Sequence, residues 1–171
     1  QIGALAQSLF IQADGDLARE VTDRDLEAQI RRTRALLAEE SGTLFEPTIV
    51  HGDYLVRVDV LRKQGNRVEL VEVKSKSFDS RSDKPKDNPT LCASSGHIHG
   101  DFLGYVRDLA FQYWVARQAY PEWEIHCYLM MPDKAIPARE SALHRRFPVY
   151  FAEKREGHGA FRPEVNAVED L

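Results

Sequence analysis

Asp59, Glu72 and Lys74 are the residues whose types and spacing point most directly to chemistry. They stand in two stretches rich in β-branched residues, Tyr54–Arg62 and Arg67–Ser75, separated by the polar cluster Lys63-Gln64-Gly65-Asn66. That pattern predicts a β-hairpin. With Gly65-Asn66 as a two-residue turn, Gln64 pairs with Arg67, which sets Asp59 across from Glu72 and Arg57 across from Lys74. Side chains alternate between faces, so Val56, Val58 and Val60 meet Val71 and Val73 on the other side, a wall of valine expected to face a core. Opposed carboxylates repel, by roughly 1 kcal/mol at 4 Å in water and about 4 at an effective dielectric near 20. A divalent cation reverses the sign, because carboxylate oxygens are the hard ligands that Mg²⁺ accepts. A solvated face on which Arg57 and Lys74 neutralise the two acids diagonally accounts for the same pattern, so the residues alone leave both readings open.

Asp59, followed by Glu72-Val73-Lys74 closing the next strand, resembles the signature of the PD-(D/E)XK nuclease superfamily: an acid on one core strand and (D/E)-x-K on its neighbour. The longer string, Val56–Leu61, Leu70–Ser75 and Asp108-Leu109-Ala110-Phe111-Gln112-Tyr113, is similar to the RecB-like branch. It resembles bacterial proteins with EVKS followed by a helix carrying an Asp-hydrophobic-Ala-Phe-Gln run. The resemblance covers about residues 36–131. It implies an α/β fold with a restriction-endonuclease-like αβββαβ core, a mixed central sheet flanked by helices. It also implies metal-dependent hydrolysis of phosphodiester bonds in nucleic acid, DNA foremost, in repair or defence. Asp59 and Glu72 would hold Mg²⁺ or Mn²⁺ with the carbonyl of Val73, Lys74 would orient the attacking water, and Gln112 would support Lys74. Accessory acids implied in the same way are Glu40 on the first core helix, Glu46 on the first core strand and Asp108, which lies four residues before Gln112. The branch usually has an aromatic residue four positions after the glutamine, where this chain has Ala116. A non-catalytic nucleic-acid-binding or scaffolding domain that keeps the fold is the alternative.

Several elements must position these residues. Ile2, Leu5, Leu9 and Phe10 predict a short amphipathic helix. A second helix is expected from about Asp23 to Ser41, with Thr22 as N-cap, Leu26, Ile30, Thr33 and Leu37 as its buried stripe, and Arg31, Arg32 and Arg34 outside. Leu44–Val50 reads as the first core strand, with Pro47 marking an edge or bulge and His51-Gly52-Asp53 turning into the hairpin. Asp101–Ala119 is apolar nearly all round, which predicts a helix buried between the sheet and other helices. Trp123–Met131 reads as a buried strand, parallel to Arg67–Ser75 because a long connection and a helix separate them. Residues 138–151 are expected to give a short helix and a strand around Val149-Tyr150-Phe151.

The segment 76–100 is a long polar loop or insertion whose Lys76, Arg81, Lys84 and Lys86 are candidate contacts for a nucleic-acid backbone. Cys92, His97, His99 and Asp101 offer zinc-ligand types but no zinc spacing. At 171 residues, 43% hydrophobic and 29% charged, the chain predicts one domain, 1–171, with no apolar run long enough to cross a bilayer. Two cysteines cannot make a disulfide framework, and no signal-peptide pattern opens the chain, so a cytoplasmic protein is expected. The net charge of −4 excludes a generally basic surface and confines any nucleic-acid contact to a local patch. The opening Gln1-Ile2-Gly3 suggests a fragment of a longer polypeptide.

Overall fold

In a computed structural model, residues 2–81 and 95–136 are described. The chain begins with α1 (Ile2–Asp14) and a single 3₁₀ turn, Gly15–Leu17, followed by β1 (Ala18–Glu20) and α2 (Leu26–Leu37). Next come β2 (Ser41–Phe45), β3 (Thr48–His51), β4 (Tyr54–Arg57), β5 (Val60–Gln64) and β6 (Arg67–Val73). After them stand α3 (Gly100–Ala119) and β7 (Glu124–Met130). Among the described residues the main sheet has five strands in the order β1-β2-β5-β6-β7, and β3 pairs with β4 in a separate ribbon. Because β2, β5 and β6 are antiparallel while β1 and β7 pair in parallel, the sheet is mixed.

The hairpin turn closes as its residue types require. Gly65 takes φ 58°, a left-handed value that glycine adopts without a Cβ clash, and Gln64 pairs with Arg67. The strands leading into it are not continuous. Phe45 pairs with Val60, and pairing resumes at Thr48 with Arg57. Between them both chains bend together, at Glu46-Pro47 and at Val58-Asp59, held by hydrogen bonds from Glu46 N–H to the Asp59 carbonyl and from Val58 N–H to the Pro47 carbonyl. The expected strands 44–50 and 54–62 are therefore each two strands. Arg57 lies across from Thr48 rather than Lys74, and the β5–β6 ladder stops at Val60–Val71, one step short of Asp59.

The bend also divides the valines. Val56 and Val58 join Leu61, Val68 and Leu70 in a core roofed by Leu36 and Leu37 of α2 and Leu109, Val115 and Ala116 of α3. Val60 and Val71 pack with Phe45 on the other face, beneath Phe10 of α1. Both faces are covered, one by α2 and α3 and the other by α1. Asp14 fastens α1 to the sheet, accepting from Thr43 Oγ1 at 2.6 Å and from Arg62 at 2.7 Å.

Three further expectations are corrected. Asp25 rather than Thr22 caps α2, accepting from Ala28 N–H at 2.8 Å, so the helix starts later and Leu26 is 47% exposed. Among the described residues strand β7 is the last of the sheet, and Tyr128 is exposed where a buried strand was expected. Helix α3 buries one side only, with Phe111, Tyr113 and Trp114 exposed. Lys84, Lys86, Cys92 and the elements expected in 138–151 lie outside the described residues. Among the described residues no helix is long and apolar enough to cross a membrane.

Leu70, fully buried at the centre of the α3-facing core, tests the architecture. Leu70→Ala should lower the unfolding free energy by about 2–5 kcal/mol, read from the urea midpoint; a loss near zero would place the core elsewhere.

Candidate functional site

Glu72 occupies the penultimate position of β6 and, by alternation from Val68 and Leu70, faces α3. It is 7% exposed, and a carboxylate so buried requires partners. Two are present. Gln112 donates from Nε2 to Glu72 Oε2 at 2.6 Å, and Lys74 Nζ meets Oε1 at 2.6 Å. Lys74 also reaches Asp108 at 3.6 Å and lies 5.1 Å from the centroid of the Tyr105 ring. Burial works against its charge, but the hydrogen bond and charge of Glu72 outweigh that and raise its pKa, so the ammonium stays protonated at neutral pH.

Asp59 lies in the bend before β5 and accepts a 2.7 Å hydrogen bond from Val73 N–H, which joins it to the end of β6. Glu46 stands on the other limb of the bend. The two acids, with Gly3 and Gln7 of α1, Val60 and Val73, line a cavity of about 90 Å³. Burial raises the pKa of Glu46, and repulsion from Asp59 adds to it. Burial likewise raises that of Asp59; the Val73 hydrogen bond opposes the shift and the charge of Glu72 reinforces it. Glu46 also takes φ 55°, the one positive φ of a non-glycine residue among those described. Backbone in that region costs about 1–2 kcal/mol for a residue with a Cβ. Strain and electrostatic repulsion are thus concentrated at one step of the sheet.

The expected site residues fall into two groups that meet at Val73. Glu46 and Asp59 share the cavity beneath α1, while Glu72, Lys74, Asp108 and Gln112 gather beneath α3. Gln112 bonds Glu72 directly and is linked to Lys74 through that shared carboxylate. Among the described residues the buried Oε1 of Gln112 has no hydrogen-bond partner, a cost of about 1–3 kcal/mol unless a donor reaches it. Glu40 is not part of the site. It follows α2 at the opposite end of β5, where its carbonyl accepts from Gly65 N–H at 2.9 Å. Lys76 is tied to Asp101 at 2.8 Å and lies over the Phe102 ring, and Arg81 is exposed in a turn. His97 is exposed and contacts Ser95 at 3.3 Å, while His99 precedes α3 as its N-cap without a side-chain capping bond. Tyr105 was not anticipated as a neighbour of Lys74, although helical spacing puts it three residues before Asp108, on the same side.

Hard oxygen donors that repel one another and a buried amide oxygen lacking a donor suit a hydrated divalent cation in chemistry. Among the described residues, however, no three His, Cys, Asp or Glu side chains are gathered as a ready cage. One oxygen of Asp59 and both of Glu72 are engaged by protein donors, so an ion shared by the two would have to displace Lys74 from Oε1.

Fold and site define a mixed α/β protein with a mixed sheet flanked by helices and an acid–lysine cluster at the end of β6, between β5 and β7. Comparisons with known proteins give no matching family model, no matching curated protein and no matching solved structure.

Glu46 tests the electrostatics. Its folded pKa is raised, so the stability it contributes is present below its unfolded value of about 4.3 and is lost as pH rises through the folded pKa. Glu46→Gln should therefore melt higher than the wild type at about pH 7, by roughly 1–3 °C, with the gap closing near pH 4. Glu46→Gly should in addition relieve the backbone, a pH-independent gain of up to about 1 kcal/mol on top of the pH 7 effect of losing the charge. A Gln variant that is less stable at neutral pH would contradict the repulsion described.

Proposed function

We propose that this chain is a metal-dependent nuclease of the PD-(D/E)XK superfamily, in its RecB-like branch, hydrolysing phosphodiester bonds of nucleic acid, DNA foremost. The single observation that carries the reading is the cluster at the end of β6: Lys74 paired with Glu72 two residues earlier, Asp59 bound to the intervening Val73 N–H, and Gln112 closing over Glu72. The order α2, three antiparallel stretches, α3 and parallel β7 agrees with an αβββαβ core and supports the same assignment. The domain would work in the cytoplasm, in repair or defence.

In this reading Asp59 and Glu72, with the Val73 carbonyl and Glu46 close by, hold Mg²⁺ or Mn²⁺. When bound, the ion polarises the phosphate and lowers the pKa of a coordinated water. Lys74 stays protonated, so its role is that of a cation beside the phosphate, orienting water and balancing developing negative charge, not that of a base. Gln112 fixes the rotamer of Glu72 through Nε2 and leaves Oε1 to accept a proton donor at the site. Asp108 offsets part of the Lys74 charge.

A second reading, a binding or scaffolding domain without catalysis, is favoured by the engagement of both Glu72 oxygens. Incubating labelled single- and double-stranded DNA with Mg²⁺ or Mn²⁺ separates the two. Cleavage is expected, abolished by chelation and reduced about 10²–10³-fold in Lys74→Ala and Asp59→Asn. Cleavage that survives chelation or either substitution would sink the mechanism, and its complete absence in the wild type would favour the second reading. In calorimetry, Mn²⁺ should bind the wild type, weaken as pH falls from about 7 to about 5 because protonation competes for the raised-pKa acids, and fail to bind Asp59→Asn. Affinity that is indifferent to pH would remove these carboxylates from the donor set.

A further inference from the structure

On α3, the side next to the candidate site carries an uncovered aromatic surface. Tyr54, Phe111 and Trp114 are 48%, 45% and 42% exposed, although residues of this type make most of their contribution when buried. They form one cluster. Tyr54 meets Phe111 edge-on at 6.1 Å and Trp114 edge-on at 4.9 Å, while the Phe111 and Trp114 rings are nearly parallel, at 14°, with centroids 6.3 Å apart. The edge-on contacts hold the rings in place without covering them, so the surface is fixed before anything binds.

Its position on the helix matters as much as its composition. At 3.6 residues per turn, Arg107, Phe111 and Trp114 lie along one stripe, and Phe111 is only about 60° around the axis from Asp108, which contacts Lys74. Arg107 is exposed and, among the described residues, makes no ion pair or hydrogen bond. A guanidinium one turn from two ring faces, beside a lysine at the candidate catalytic centre, complements a ligand that alternates planar bases with phosphates. In a duplex the base faces are stacked on one another and unavailable to rings; in a single strand they are free.

We infer that Tyr54, Phe111, Trp114 and Arg107 form a platform for single-stranded nucleic acid, stacking its bases while Arg107 meets its backbone and leading the strand to the Lys74–Glu72 cluster. This assignment rests on the proposed nuclease function for its placement of the scissile phosphate. Base stacking on aromatic side chains tolerates any sequence, so the platform selects strandedness, not sequence.

The test is binding of the full chain to a fluorescein-labelled oligothymidylate of about 12 nucleotides, with chelator present, against a duplex of equal length. Wild type should prefer the single strand. Phe111→Ala combined with Trp114→Ala should weaken that binding at least about 10-fold, with duplex binding little changed, and Arg107→Ala should lower the slope of log affinity against log salt by roughly 0.7. Phe111→Tyr with Trp114→Phe should retain binding, and thermal melts identify any variant that has lost its fold; the inference then stands or falls on Arg107→Ala and the conservative pair. If the alanine variants bind as wild type, or instead change oligomeric state without affecting the oligonucleotide, the platform is overturned and the surface is assigned to a protein partner. The two proposals fail separately. Binding through these rings without cleavage removes the nuclease but keeps the platform, and cleavage unaffected by their loss does the reverse.

Discussion

A single buried negative charge organises the molecule. Glu72 sits near the end of β6, beneath α3 and largely out of water, where an isolated buried carboxylate is strongly disfavoured. Lys74 on one side and Gln112 on the other prevent that, and each then acquires constraints of its own. Gln112 must lie over Glu72, which sets the rotation of α3 about its axis. With that rotation set, Leu109, Val115 and Ala116 point into the core and Phe111 and Trp114 point away from it. The exposed aromatic stripe is thus a geometric consequence of satisfying one carboxylate.

The second organising feature is the shared bend. Two long antiparallel strands break at the same step, so a sheet that would otherwise continue splits into the five-stranded sheet and the β3–β4 ribbon. The break places Glu46 and Asp59 on its two limbs, with Glu46 in a left-handed conformation that a side chain disfavours. Strain and like-charge repulsion at one point are unfavourable for the fold, and the surrounding hydrogen bonds from Glu46, Val58 and Val73 hold the arrangement in place. Local strain of this kind clusters at functional positions, which is consistent with the site proposed for these residues.

Much of this was legible in the residues. A two-residue Gly65-Asn66 turn leaves little freedom of register, so the pairing of Gln64 with Arg67 followed from turn chemistry alone. Helix α3, bounded by Tyr120-Pro121, and the parallel strand after it were equally plain. The bend was not, because β propensity runs unbroken through Val56-Arg57-Val58-Asp59-Val60, and Pro47 on the facing strand was its only sign. Carrying the ladder one step too far put Asp59 opposite Glu72, where it bonds to Val73 instead. The apolar sequence of α3 suggested burial all round, since composition cannot show how many sides of a helix have neighbours. Strand β1 is three residues, Ala-Arg-Glu, with no β-branched residue to announce it. Glu40 was expected on the first core helix, but α2 ends at Leu37 and the carbonyl of Glu40 accepts from Gly65 at the hairpin turn.

The supports at either end of the polar segment have an energetic corollary. Phe78 bridges to Asp133, Ser80 N–H donates to Asp133, and Lys76 grips Asp101 at the start of α3. Those ties hold the two stems regardless of how many residues run from Arg81 to Ser95. The entropic cost of bringing two chain ends together grows only logarithmically with the number of residues between them, by about 0.6 kcal/mol per doubling. A change in the number of residues there would accordingly carry little thermodynamic penalty, whereas loss of an anchoring residue would release a stem.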